Sequence, residues 1–255
     1  MQSKIITYEH PLNEIVRACL KIEQLLQQVH HQINDCTMLG AHHAIRLIIE
    51  MLQLLERPDL KAKLSKELNQ CLNTLAQYSQ SPQADTEKLE TLTQKLAALS
   101  HQLIDSNEKI GHRLRDIELL NNLRLQLNTP GGGCGFDMPV YHYWLQQPQE
   151  TRQATLQDWV QSFTAIQAGV TLLLEIIRNH SKTEDKSAAN GFYQEMLDPQ
   201  TPLRLIRINV PTHIPAFPQI SVGRHFLSVR FFSPNIVNQP VQYTNELAFS
   251  LAYCY

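Results

Sequence analysis

No two cysteines in this 255-residue chain are spaced as C-x-x-C; the five present (Cys19, Cys36, Cys71, Cys134 and Cys254) are odd in number and dispersed. That argues against a structural zinc site or a disulfide framework and fits reduced thiols in the cytoplasm. Charge is also sparse, at 18% of residues with a net value of -2, whereas a generic nucleic-acid binder carries a strong positive excess to displace counterions. The opening segment MQSKIITYEHPLNEI has no apolar core behind basic residues, so no secretory signal is expected. No apolar run approaches the roughly 20 residues that span a bilayer. With 43% hydrophobic residues the chain is not of disordered composition either, and its length suits one large domain or two smaller ones.

What is present first is helical periodicity. Between residues 11 and 180 apolar side chains recur at steps of three and four, beginning with Leu12, Ile15 or Val16, Cys19, Ile22, Leu26, Val29 and Ile33. Asp35 and Thr37 offer caps for a second run, Met38 to Leu55, whose nearly continuous apolar content predicts burial on several sides. Pro58 suits the opening of a third helix carrying Leu60, Leu64, Leu68, Cys71, Leu72, Leu75 and Tyr78, which SQSPQAD breaks. Leu89, Leu92, Leu96, Leu99 and Leu103 form the seam of an antiparallel hairpin or coiled coil. A further helix is expected over 110–127, then a short one near Pro139 and runs around Trp159 and from Ala165 to Asn179.

From HSKTEDKSAANG onward the period changes to two. Strands are expected at 191–196, 203–210, 224–233 and 244–253, separated by proline-rich connections that imply antiparallel pairing, and KIITY near the start offers a fifth. The fold class expected is α+β: a mainly helical domain over 1–182, with residues 3–8 able to lend a strand, and a small, curved, mostly antiparallel β domain over 183–255. The segment after Thr201 holds Arg204, Arg207, Arg224 and Arg230 against the single acid Glu246, so an acidic partner segment is the natural inference.

Three clusters invite chemistry. The stretch NTPGGGCGFDMPVYHYWL lacks the lysine of a phosphate loop and follows a helix rather than a strand. A hydrolase built on Cys134, Asp137 and His142 would need thiolate and imidazole in contact, which proximity in sequence does not supply. The plainer reading is a close-packed glycine corner with Asp137 capping the short helix beyond. The pairs His30-His31 and His42-His43 fit no i, i+4 ligand set with a third partner, so no metal is expected. No cofactor is implied.

The strand RHFLSVRFF is more informative. Leu227, Val229 and Phe231 fall on one face and read as core; Arg224, Phe226, Ser228, Arg230 and Phe232 fall on the other. That second face suits a peptide bearing carboxylates and aliphatic groups, or else the two phenylalanines pack on a helix and the arginines rim it.

Four segments taken in order, YEHPLNEIVRACLKIE, PGGGCGFDMPVYHYWL, NGFYQ and PQIS with VRF, resemble the ZapD family of cell-division proteins, and the resemblance spans nearly the whole chain. It implies a helical domain joined to a curved antiparallel β domain, a homodimer, and binding to the C-terminal tail of the tubulin-like GTPase FtsZ. It also implies crosslinking of FtsZ filaments at the mid-cell division ring in the cytoplasm, without catalysis, nucleic acid or membrane insertion. The glycine stretch becomes a structural signature of the family. Tail binding in the family uses a basic pocket, to which Arg224 and Arg230 correspond, with Arg17, Arg57 and His142 at further positions of the pattern. Phe226 stands where the pattern implies arginine. A cysteine-dependent hydrolase using Cys134, Asp137 and His142, or a nucleic-acid adaptor using the C-terminal arginines, are the functions that would compete.

Overall fold

A computed structural model describes residues 4–78, 86–105, 110–127, 129–235 and 237–255. The chain is α+β, with a helical region followed by open antiparallel sheets. It forms two compact units, Ala18–Leu173 and a β unit made of Met1–Arg17 with Leu174–Tyr255.

In the helical unit and its flanks the helices are α1 (Glu14–Asp35), α2 (Met38–Leu55), α3 (Leu60–Tyr78), α4 (Thr86–Asp105), α5 (His112–Arg115), α6 (Glu118–Gln126), α7 (Pro139–Leu145), α8 (Gln149–Gln161) and α9 (Thr164–Asn179). Thr37 is the expected cap: its hydroxyl accepts from the Gly40 N–H at 3.0 Å, which satisfies one of the orphan donors of α2. On length and composition α2 could cross a membrane, but Ala44, Ile45, Ile48 and Met51 are buried inside the protein, as in a core helix. Helices α3 and α4 pack together, Leu96 is fully buried on the predicted seam, and Ser100 Oγ donates to Asn69 Oδ1 at 3.1 Å. The SQSPQAD break and the side chains of Leu75, Tyr78, Leu89 and Leu103 lie outside the described residues.

The single helix expected over 110–127 is two. Ile117 is extended (φ -79°, ψ 107°) between α5 and α6, and Ile117 N–H reaches back only to Leu114 O. Periodicity alone misses this break because Leu114, Leu120 and Leu123 are all buried on either side of it. Farther on, Trp144 stacks between Tyr141 and Trp159, with ring centroids 6.3 and 6.1 Å apart. Arg152 is buried and donates to the backbone carbonyls of Leu145, Gln147 and Cys36, which ties α8 to the α1–α2 corner.

The β unit contains β1 (Ile5–Pro11), β2 (Ser181–Ala188), β3 (Phe192–Met196), β4 (Leu205–Pro211), β5 (Phe217–Val222), β6 (Phe226–Ser233), β7 (Val241–Gln242) and β8 (Leu247–Cys254). They form not one sheet but two, ordered β1-β4-β8-β2 and β3-β6-β5, with β7 pairing the end of β6. All pairings are antiparallel. A shared core joins Ile206, Ile208, Phe249 and Leu251 of the first sheet to Leu227, Val229 and Phe231 of the second.

The N-terminal strand pairs with β4 from Ile5↔Pro211 to Pro11↔Leu205. Besides the two-residue β7, two strands contradict the sequence expectation. The polar stretch SKTEDKSA is β2, an edge strand whose charges pair among themselves: Lys182 and Lys186 stand 2.6 and 2.7 Å from Glu184. Its only buried residue is Ala188, and a charged edge of this kind hides its strand character from hydrophobic alternation. Strand β5, FPQISV, is concealed by Pro218 and by the proline-rich segment before it, a residue type that sheets tolerate at edges.

Candidate partner-binding face

The inward half of β6 follows from its alternation, since Leu227, Val229 and Phe231 are all fully buried. The outward half is built from three strands. Cross-strand partners share a face, and the register places Phe192 and Gln219 on either side of Arg230, Gln194 and Ser221 beside Ser228, Met196 beside Phe226 and Phe217 beside Phe232. Solvent reaches this face: Phe192 is 37% exposed, Phe226 45% and Met196 87%. None of these ten side chains is acidic.

Arg230 lies across the Phe192 ring, its guanidinium carbon 5.8 Å from the centroid, a cation–π geometry that holds the charge outward. Phe232 stacks on Phe217 of the neighbouring strand at 6.0 Å, and the Phe226 ring covers Gly223, where a Cβ would come within 3.0 Å of it. Arg230 and Arg224 make no ion pair among the described residues. Their neighbours in the same unit do: Glu9 takes both Arg178, through bonds of 2.9 and 2.8 Å, and Arg207 at 3.1 Å.

Arg224 is not on the strand. Gly223 N–H donates to Phe226 O at 2.9 Å, so Arg224 and His225 are the two residues of the β5–β6 hairpin tip, and both are exposed. Arg17, on the first turns of α1 in this unit, is exposed; burial, and then Arg17, keep the His10 imidazole below its ordinary range. Arg57, in the α2–α3 connection, and His142, on α7, are exposed residues of the helical unit.

The glycine stretch is a corner. Gly131 and Gly133 have φ of 73° and 85°, a Cβ on Gly132 would sit 1.7 Å from Gln126 O, and one on Gly135 would sit 3.0 Å from His142 Nδ1. Cys134 Sγ donates to Gly131 O at 2.9 Å rather than meeting the imidazole. Asp137 does not cap α7: the cap position is Met138, without a side-chain bond, and Pro139 opens the helix. Among the described residues no group of three His, Cys, Asp or Glu is placed to hold a metal ion. His42 Nδ1 instead lies 2.6 Å from Tyr141 Oη.

A family model described as ZapD, cell division protein, matches residues 20–230. The chain belongs to the ZapD family. It is 37% identical to the cell division protein ZapD of Coxiella burnetii, over all of this chain and 99% of that one. It is 34% identical to that of Shigella flexneri over the whole of both, and 30% to that of Methylococcus capsulatus over 98% of each. Membership supports a role in cell division.

Proposed function

We propose that this ZapD-family protein binds the C-terminal tail of FtsZ on the outer face of the β3-β6-β5 sheet and, as a homodimer, crosslinks FtsZ filaments at the cytoplasmic division ring. The observation that carries the reading is an exposed, acid-free face on which Arg230 stands with Phe192, Met196 and Phe226, next to a hairpin tip that exposes Arg224, neither arginine making an ion pair among the described residues. A surface that gives folding little reason to expose aromatic rings and unpaired guanidinium groups suits an acidic segment with apolar side chains. Arg17, in the same unit, is assigned a smaller contribution to tail capture, while Arg57 and His142 belong to the helical unit and are not included in this face.

Each contact of this kind is weak. Exposed charge pairs contribute about 0–1 kcal/mol, so a single tail would be held reversibly. A dimer carries two sites, and a filament displays many tails, so effective concentration strengthens attachment by roughly 10² to 10⁴ where both sites engage. Co-sedimentation with FtsZ and with FtsZ lacking its C-terminal tail tests the reading. Bundles should pellet only with the intact filament; equal bundling of the tail-less filament would refute tail capture.

A further inference from the structure

We propose that the outer edge of β5 receives an extended acidic peptide as an added strand of the β3-β6-β5 sheet, with Arg224 and Arg230 fixing its carboxylates. This deepens the tail-binding reading and rests on it, but it concerns the peptide's backbone rather than its charge.

The backbone directions follow from three bonds. Phe231 N–H donates to Gly191 O at 2.8 Å and Phe231 O accepts from Tyr243 N–H at 2.8 Å, so the odd residues of β6 face β3 and β7. The even residues therefore face β5, as the bond from Gly223 to Phe226 O requires. In the register Phe217↔Phe232, Gln219↔Arg230 and Ser221↔Ser228, residues 217, 219 and 221 spend their backbone groups on β6. Pro218, Ile220 and Val222 then point theirs away from the sheet, where no further strand pairs with β5 among the described residues. Pro218 has no N–H to offer, which leaves the amides of Ile220 and Val222 and three carbonyls on the open edge.

The other edges are less suited to such a guest. Strand β2 is crowded with the Lys182, Glu184 and Lys186 ion pairs. The β3 edge turns into the β2–β3 corner, where Ala189 bridges Phe192 and Lys186 stands 3.4 Å from Glu195. On β1 Glu9 already takes Arg178 and Arg207, and the exposed Arg17 near His10 belongs to α1 rather than to a strand. The β5 edge adjoins both arginines that make no ion pair among the described residues of the β3-β6-β5 sheet and its hairpin: Arg224 follows it directly at the hairpin tip, and Arg230, which β3 shares through Phe192, lies one strand inward, opposite Gln219. Strand addition gives main-chain bonds for affinity while alternate side chains meet the charged face, so an acidic, extended peptide is the matching occupant.

The test is amide exchange by NMR, with a synthetic FtsZ tail peptide added to the full-length protein. The Ile220 and Val222 amides should gain protection together, while those of Gln219 and Ser221, already paired, change little. Ile220→Pro removes an outward N–H without touching the β5–β6 ladder and should weaken the peptide about two- to tenfold, the range for one lost hydrogen bond. If Arg224→Glu with Arg230→Glu abolishes binding but Ile220 and Val222 stay unprotected and Ile220→Pro binds normally, the added strand is wrong and tail capture by charge stands. If the peptide binds wild type and the double arginine variant equally, the tail site on this face itself fails. Should Ile220→Pro not fold, the exchange pattern in the unmodified protein decides.

Discussion

One eight-residue strand, β6, shows two faces with opposite logic. Toward the core, Leu227, Val229 and Phe231 have no solvent exposure and meet Phe249 and Leu251 from the other sheet, so each residue type is explained by burial. Toward solvent, Phe226 and Arg230 sit beside Phe192 and Met196, and burial explains none of them. Four arginines of the β unit divide the same way: Arg178 and Arg207 share the carboxylate of Glu9, whereas Arg224 and Arg230 make no ion pair among the described residues. Residues that folding uses are paired or buried, and those it leaves over mark where a partner would act.

The sharpest break of this comparison is on the inner face. Phe231→Ala should cost about 3–5 kcal/mol, because it removes both the ring's transfer free energy and the packing around it. Urea unfolding would measure it, and a loss below about 1 kcal/mol would mean that the two faces are less distinct than the burial pattern says.

Among the paired arginines, Glu9→Gln should destabilise by about 1.5–3 kcal/mol, since it weakens the charge-assisted bonds to Arg178 and removes the ion-pair partner of Arg207. Tail affinity should not change. A variant that melts normally but loses affinity would place Glu9 and its arginines in recognition rather than in folding.

The smallest effect expected is at Phe226, a residue 45% exposed. Phe226→Arg should leave stability within about 0.5 kcal/mol, as surface substitutions do. If charge dominates the outer face, this variant binds the tail peptide more tightly and with steeper salt dependence. Weaker binding by the folded variant would show that the aromatic ring itself holds the partner.

Much of this was legible in the sequence, and the gaps have physical causes. Strong alternation in LSVRF and LAFSLAYC marked β6 and β8, and the nearly continuous apolar content of Met38–Leu55 marked α2 together with its Thr37 cap. Strands β2 and β5 stayed hidden because edge strands carry charge or proline in place of an apolar stripe. Arg224 was expected on the β6 face and proved to be a hairpin-tip residue, since period two cannot tell where a strand begins. The outer neighbours Phe192 and Met196 were missed for another reason: only the β3–β6 register brings them beside Arg230 and Phe226. NGFYQ was a visible family segment, but its place on this face is a tertiary fact.

The most direct measurement is titration of a synthetic FtsZ tail peptide into wild-type protein and into Arg224→Glu with Arg230→Glu, at about 0.05 and 0.5 M salt, where the screening length falls from above 10 Å to a few ångströms. The account predicts that the double variant keeps the wild-type melting temperature and solution mass while losing at least about tenfold in affinity at low salt, with the difference shrinking at high salt. Equal affinity of the two folded proteins at low salt would contradict it.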